Sequence, residues 1–346
     1  MVASHPLPQT AGFASNVSRD VGYAHHVGHS PTYFCSSSSE GINMTTAQQL
    51  NTQFGIDRQL SFREDASGLT IAEINNPQAT ASLCLQGAHL MAWQPGSQPA
   101  PVVWLSRDAK LAAEKSIRGG VPVCWPWFGA HASEPGFPAH GFARTAPWRV
   151  IESGTEPNGA TRLTLRLMEN EKTRAQWPHD SRLELTVIVG ETLRMELTTE
   201  NTGKSDFIIS EALHTYFKIS DIGAVQVTGL AGCDYWDKVG ISTLKKQDGI
   251  ILLAGETDRV YINTAMECVI EDDRLKRRIC VAKSGSLTTV VWTPWTAKAE
   301  KMGDLGQPDG WREMLCVESA NAIDNAVKVA AGTRHTLIVE CRAESL

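Results

Sequence analysis

The sequence predicts an all-β protein, a large antiparallel β-sandwich formed by residues 44–346 as one domain. Three observations predict it. From about residue 54 onward, apolar residues alternate with polar ones or run β-branched, and a helical period is confined to two short stretches. Gly, Asn and Asp separate these runs at the spacing of antiparallel connections. No dinucleotide fingerprint, P-loop or repeat of fixed length interrupts them.

The chain opens differently. Residues 1–43 are rich in Ser, His, Gly and Ala, include "CSSSSEG", and carry charge at Arg19, Asp20 and Glu40 alone. Without a helical or strand period they read as a disordered extension. His25, His26 and His29 in "HHVGH" have metal-like spacing, but no Cys, Asp or Glu lies nearby, so chance composition is the expectation. Met44 is a candidate natural start.

Strands are then expected in "GLTIAEIN", "TRLTLRLME", "SRLELTVIVG", "ETLRMELTTEN", "FIISEALHTYFKIS", "ECVIED", "RRICVAK", "LTTVVW" and "RHTLIVECR". "VGETL" and "ENTGKSD" read as tight hairpin connections. "RDAKLAAEK" and "TAKAEKM" read as short helices. The expected total is about fifteen strands.

Composition limits the function classes. With 32 Lys and Arg against 38 Asp and Glu, the net charge is −6. That argues against a nucleic-acid or anionic-membrane surface, yet permits a small anion held by a few arginines. No apolar run approaches the ~20 residues of a membrane span, and no basic segment followed by an apolar one suggests secretion. The eight cysteines form no CxxC pair, and most lie in runs such as "ASLCL" and "EMLCVES". Reduced, buried thiols in a cytoplasmic protein are expected, rather than disulfides or a zinc site.

The segment "SIRGGVPVCWPWFGAH", residues 116–131, suits neither helix nor plain strand. Pro122 and Pro126 each remove a backbone donor, and Gly119 and Gly120 permit unusual backbone angles. Trp125, Trp127 and Phe128 then form a stiff aromatic wall holding Arg118 at a pocket rim, unless they are simply core. An arginine beside two glycines suits bidentate capture of an oxyanion.

In "FIISEALHTYFKIS", Ile209, Leu213, Phe217 and Ile219 make an apolar strand face. Ser210, Ala212, His214 and Tyr216 make the other, leaving room around an imidazole. Glu318 ends the apolar strand in "WREMLCVESANA", while "HGFAR" supplies His140 and Arg144. Singly, each has an ordinary reading as surface or salt-bridge partner.

Together, "RGGVPVCWPWFG", "PAHGFAR", "ALHTYF", "LAGCDYWD", "VVWTPW" and "CVES" occur in an order that resembles the aldose 1-epimerase superfamily, and within it the hexose-6-phosphate mutarotase branch. The resemblance runs from about residue 54 to the C-terminus. It implies a galactose mutarotase-like supersandwich with a sugar site on its concave face, needing neither metal nor cofactor. It implies an isomerase that interconverts the anomers of hexose 6-phosphates, chiefly glucose 6-phosphate. His214 matches the general acid, Glu318 the general base, and Arg118 and Arg144 the sugar-phosphate ligands. Asp237 matches a carboxylate that hydrogen-bonds the sugar, with Asp234 as the alternative. His140 and Trp127 complete the expected substrate contacts. Two departures stand out: Ala139 occupies a position where some members carry glutamine, and Glu318, Ser319 and Ala320 replace a frequent E-P-G.

The chemistry asks for an ionised Glu318 and a protonated His214 on neighbouring oxygens. The expected partner is a small hexose phosphate, with no nucleic acid or membrane, and the expected state is a monomer. Rival readings are a non-catalytic sugar-phosphate sensor on the same sandwich and a mutarotase of free aldoses. A glycoside hydrolase is disfavoured, since no second carboxylate with a clear acid role accompanies Glu318.

Overall fold

Alternating apolar runs become two large antiparallel sheets that share one apolar core. A computed structural model describes residues 45–346. The extension over residues 1–43, the "HHVGH" histidines and the alternative start at Met44 lie outside the described residues.

The first large sheet has nine strands. Its centre runs Cys268–Asp272, Arg277–Ser284, Arg334–Ser345, Thr192–Asn201 and Ser181–Val189. The second has eight. From one edge its order is Thr243–Lys246, Asp234–Asp237, Thr257–Tyr261, Thr288–Thr293, Met314–Asn321, Glu211–Leu213 and Val123–Cys124; Tyr216–Lys218 also pairs with Met314–Asn321. A four-stranded meander, Leu60–Glu64 through His89–Pro95, and the small pair Phe207–Ile209 with Val327–Val329 complete the architecture. The solvated hairpin Ser181–Val189 and Thr192–Asn201 alternates between buried and half-buried positions, whereas Met314–Asn321 is buried at every position. That all-buried strand lies fifth in the eight-stranded order and carries Glu318.

The described residues contain 23 strands, more than expected from the sequence, because several span two or three residues. The run "FIISEALHTYFKIS" is not one strand. It breaks into Phe207–Ile209, Glu211–Leu213 and Tyr216–Lys218, and the first of these pairs in a different sheet. "TAKAEKM" does lie in a helix, Trp295–Met302. "RDAKLAAEK" does not. Its turns are pinned instead by Gln86, whose Nε2 donates to the Ala112 and Lys115 carbonyls and whose Oε1 accepts from Glu114 N. Two helices went unanticipated, Ala47–Phe54 and Glu171–Gln176, each closed by a capping box from Thr46 or Asn170.

The seven described cysteines are free, and six are buried. Among the described residues, no helix is long and apolar enough to cross a membrane.

Candidate active site

The break at His214 creates the site. Leu213 faces Ser319 and Tyr216 faces Cys316 across the same strand pair. The intervening register therefore sets His214 opposite Glu318, and their Nε2 and Oε1 atoms lie 3.3 Å apart. On its other side, His214 N donates to Pro122 O at 3.0 Å and Tyr216 N to Gly120 O at 3.0 Å. Pro122 has no N–H to return to the histidine carbonyl, so the ladder stops there.

Residues directly opposite each other, or two apart on one strand, share a sheet face. Asp258 faces Trp292, and Trp292 faces Cys316, which faces Tyr216. Asp258, Trp292, Tyr216, His214 and Glu318 thus lie on one face across four strands. With Arg118, Arg144, His140, Phe128, Lys238 and Lys298 they line a cleft of about 610 Å³. That size suits a small ligand. Glu318 is 1 % exposed, and neither its Oε2 nor His214 Nδ1 has a hydrogen-bond partner among the described residues.

Glycines hold the two arginine-bearing segments in place. Gly120 adopts φ +66°, and a Cβ there would sit 2.4 Å from His89 Nε2 and from Leu90 O. The adjacent Arg118 reaches Asp304 through Nε at 3.0 Å and donates from Nη1 to the Tyr216 hydroxyl at 3.1 Å. Gly141 adopts φ +70°, and a Cβ there would lie 1.9 Å from Trp125 O. Just before it, His140 takes φ +65°. Arg144 Nη2 donates to Ala139 O at 2.7 Å.

Gly129 N donates to His140 Nδ1 at 3.3 Å, so a neutral His140 carries its hydrogen on Nε2. Burial, assisted by the nearby Arg144 charge, pulls the His140 pKa down to about 4 and keeps the ring neutral.

Burial acts on both members of the pair. Burial drives the Glu318 pKa well above the usual carboxylate range; Asp258 pushes the same way and Arg144 opposes them. Burial also drives His214 well below its usual value, with the nearby Arg144 and Arg118 charges adding to the effect. Both shifts favour the uncharged forms of the two groups. An ion pair at this depth is disfavoured because both charges lose their water.

Two further expected residues lie off the cleft wall. Trp127 is 8 % exposed, stacks on Phe137, and donates from Nε1 to Pro138 O. Its neighbour Phe128 lines the cleft instead, meeting His140 edge to face at 4.8 Å. Trp125 is core, with Nε1 bonded to Thr199 Oγ1. Asp237 is occupied by Lys245 Nζ at 2.7 Å and by Val239 N at 3.2 Å, while Asp234 is exposed beside Lys246 at 3.8 Å. The carboxylate on this part of the wall is Asp258, from the strand paired with Asp234–Asp237. Lys238, Asp258, Trp292 and Lys298 were not singled out in the sequence. Alternation in "TDRVY" sets Asp258 on the same face as Val260, a signal that gains meaning once the neighbouring strands are known. Lys298, on the short helix, also lies 2.9 Å from Glu256.

A buried histidine and glutamate at the floor of a cleft lined by arginines and lysines sit on an antiparallel β-fold of the sugar-epimerase class, and this chain belongs to the aldose 1-epimerase family, whose profile matches residues 70–342. Among individual relatives, a protein of Escherichia coli strain K12 named "Putative glucose-6-phosphate 1-epimerase" is 41% identical over 261 residues, covering 75% of this chain and 86% of its own. A protein of Cenchrus ciliaris bearing the same name is 33% identical, covering 73% of this chain and 78% of its own. A crystal structure described as a "putative mutarotase" from Salmonella typhimurium superposes with a TM-score of 0.77 at 36% identity, over 83% of this chain and 94% of that one.

Proposed function

We propose that this protein interconverts the α and β anomers of hexose 6-phosphates, chiefly glucose 6-phosphate, by acid–base ring opening and reclosure. The observation that carries the reading is the meeting of Glu318 and His214 at 3.3 Å, each with a buried, unpartnered atom, in a cleft that Arg118 and Arg144 also line. The names borne by the relatives from Escherichia coli and Cenchrus ciliaris support the same substrate.

The ionised Glu318 carboxylate takes the proton from the O1 hydroxyl. The O1 electrons form the C1 carbonyl, the C1–O5 bond breaks, and O5 takes a proton from His214. Rotation about C1–C2 presents the other carbonyl face, and the reverse transfers close the ring. Each positioned acid or base contributes on the order of 10²–10⁴ in rate. Asp258 and the Nε2–H of His140 supply an acceptor and a donor for ring hydroxyls.

The resting, neutral pair becomes the reactive one by moving a proton from Glu318 to His214. Arg118 opposes that move by disfavouring charge on His214, whereas Arg144 disfavours charge on His214 but favours it on Glu318. A phosphate carrying close to two negative charges offsets both guanidinium groups. Its binding therefore orients the sugar and also favours the imidazolium. Phosphorylated sugars gain on both counts over free hexoses.

The residues given a role lie within residues 44–346, the proposed functional unit. We read it as a monomer acting in carbohydrate metabolism, and the free cysteines support a reducing compartment, the cytoplasm. Anomer exchange followed by NMR on glucose 6-phosphate and on glucose tests the reading. Faster exchange of the phosphate ester with the wild-type protein, lost in Glu318→Gln, is the expected result. Unchanged exchange in Glu318→Gln would overturn the assignment.

A further inference from the structure

The strand pair Glu211–Leu213 and Met314–Asn321, which leads into His214 and carries Glu318, holds a second polar pair on its other face. Glu211 faces Asn321 in the same register, three residues before His214 and three after Glu318 respectively. Within Met314–Asn321 the odd offset from Glu318 turns Asn321, and with it the facing Glu211, to the opposite face. There the two meet His335, from the strand Arg334–Ser345 of the nine-stranded sheet.

Glu211 Oε1 lies 2.9 Å from His335 Nε2 and accepts from Asn321 Nδ2 at 3.0 Å. Asn321 Nδ2 also donates to Gly285 O at 2.8 Å, and Asn321 Oδ1 accepts from Leu287 N at 3.2 Å. Glu211 is 0 % exposed, and its Oε2 has no partner among the described residues. A carboxylate between two sheets is an expensive filler, since apolar side chains of similar volume pack there without desolvating a charge. What it adds is direction: one oxygen ties three strands from two sheets at fixed bond lengths.

We propose that Glu211, with His335 and Asn321, forms a positioning cluster that fixes the separation of the two strands from which His214 and Glu318 meet. Neither Arg118 nor Arg144 bonds to this cluster; their partners are Asp304, Tyr216 and Ala139. The cluster therefore governs the spacing of the acid and base and leaves phosphate capture alone. A displacement of about 1 Å in a reacting group costs on the order of 10²-fold in rate.

This inference rests on the acid–base reading above, so its test runs beside Glu318→Gln. Glu211→Leu removes both bonds, whereas Glu211→Gln keeps an oxygen in the Oε1 position. In Glu211→Leu, kcat on glucose 6-phosphate should fall at least about tenfold with KM within about twofold, and Glu211→Gln should retain most of the rate. A folded Glu211→Leu with wild-type kcat, or a fall in kcat matched by an equal rise in KM, would overturn the proposal. Should Glu211→Leu fail to fold, His335→Leu removes one donor from a partly exposed position, and the same split is expected; full kcat there would equally overturn it. An active Glu318→Gln sinks the acid–base reading itself, whereas an inactive Glu318→Gln beside a fully active Glu211→Leu sinks the positioning cluster alone.

Discussion

Tyr216 lies flat against His214, with ring centroids 4.9 Å apart and planes 12° from parallel, and its hydroxyl accepts from Arg118 Nη1 at 3.1 Å. One ring thus joins the arginine proposed to hold phosphate to the imidazole proposed to protonate O5. Tyr216→Phe keeps the stack and removes the acceptor. Its KM for glucose 6-phosphate should rise roughly three- to tenfold, on the scale of one hydrogen bond to a charged group discounted for Arg118's partial exposure, with a smaller change in kcat. Anomer exchange across a concentration series measures the split. A loss confined to kcat would place Tyr216 in the proton transfers instead.

Glu318→Gln should stabilise the fold while it abolishes activity. Burial raises the Glu318 pKa above the ordinary value of 4.5. The carboxyl therefore contributes stability that is complete below that value and is lost as pH rises through the folded-state pKa. Glutamine never ionises. The variant should melt at a higher temperature than wild type at pH 8, with the gap closing as pH falls toward 4.5. A gap that widens on acidification would mean that the site favours the ionised form.

Phosphite dianion should accelerate the exchange of free glucose. If charge at Arg118 and Arg144 helps keep His214 neutral, an untethered dianion bound there favours the imidazolium as the ester's own phosphate does. The wild-type rate on glucose should rise several-fold with added phosphite, the scale of somewhat less than about one pKa unit of relief at His214. Arg118→Ala should blunt the response, and Glu318→Gln should show none, which separates it from direct buffer catalysis. A flat response in wild type would leave the arginines with orientation as their sole role.

Gly141→Ala should be severely destabilising. Its φ of +70° disfavours a side chain, and the new Cβ would sit 1.9 Å from Trp125 O. Left-handed strain alone costs on the order of 1–3 kcal/mol, and the clash adds to it. Thermal unfolding reads the effect. Any protein that folds should also lose affinity for substrate, because His140 precedes the turn.

The fold was legible wherever one strand face is buried and the other wet. "SRLELTVIVG" and "ETLRMELTTEN" alternate because their hairpin is solvated on one side, and they pair from Ser181 to Asn201 as the pattern suggests. Val123–Cys124 and Ile251–Leu252 are too short to display any period. The opposition of His214 and Glu318 depends on the register of strands far apart in sequence, which no local pattern encodes; the family resemblance carried it. Trp127 and Phe128 show the limit in miniature. Adjacent residues face opposite ways, so choosing the one on the cleft wall requires knowing which side the cleft is on. The resting protonation was hidden for a similar reason, because residue types reveal an acid and a base but not the depth at which they are buried.

The cleft wall is assembled from one residue position on each of several neighbouring strands, and that arrangement acts as a ruler. Strands in a sheet sit about 4.8 Å apart, so Asp258, Trp292, Glu318 and His214 occupy graduations set by the pairing of the strands that carry or flank them. Divergence within such a scaffold can exchange the chemical group at any mark, but it cannot slide a mark. New sugar preferences should therefore arise by relabelling Asp258 or Trp292, while the interval between His214 and Glu318 is inherited unchanged.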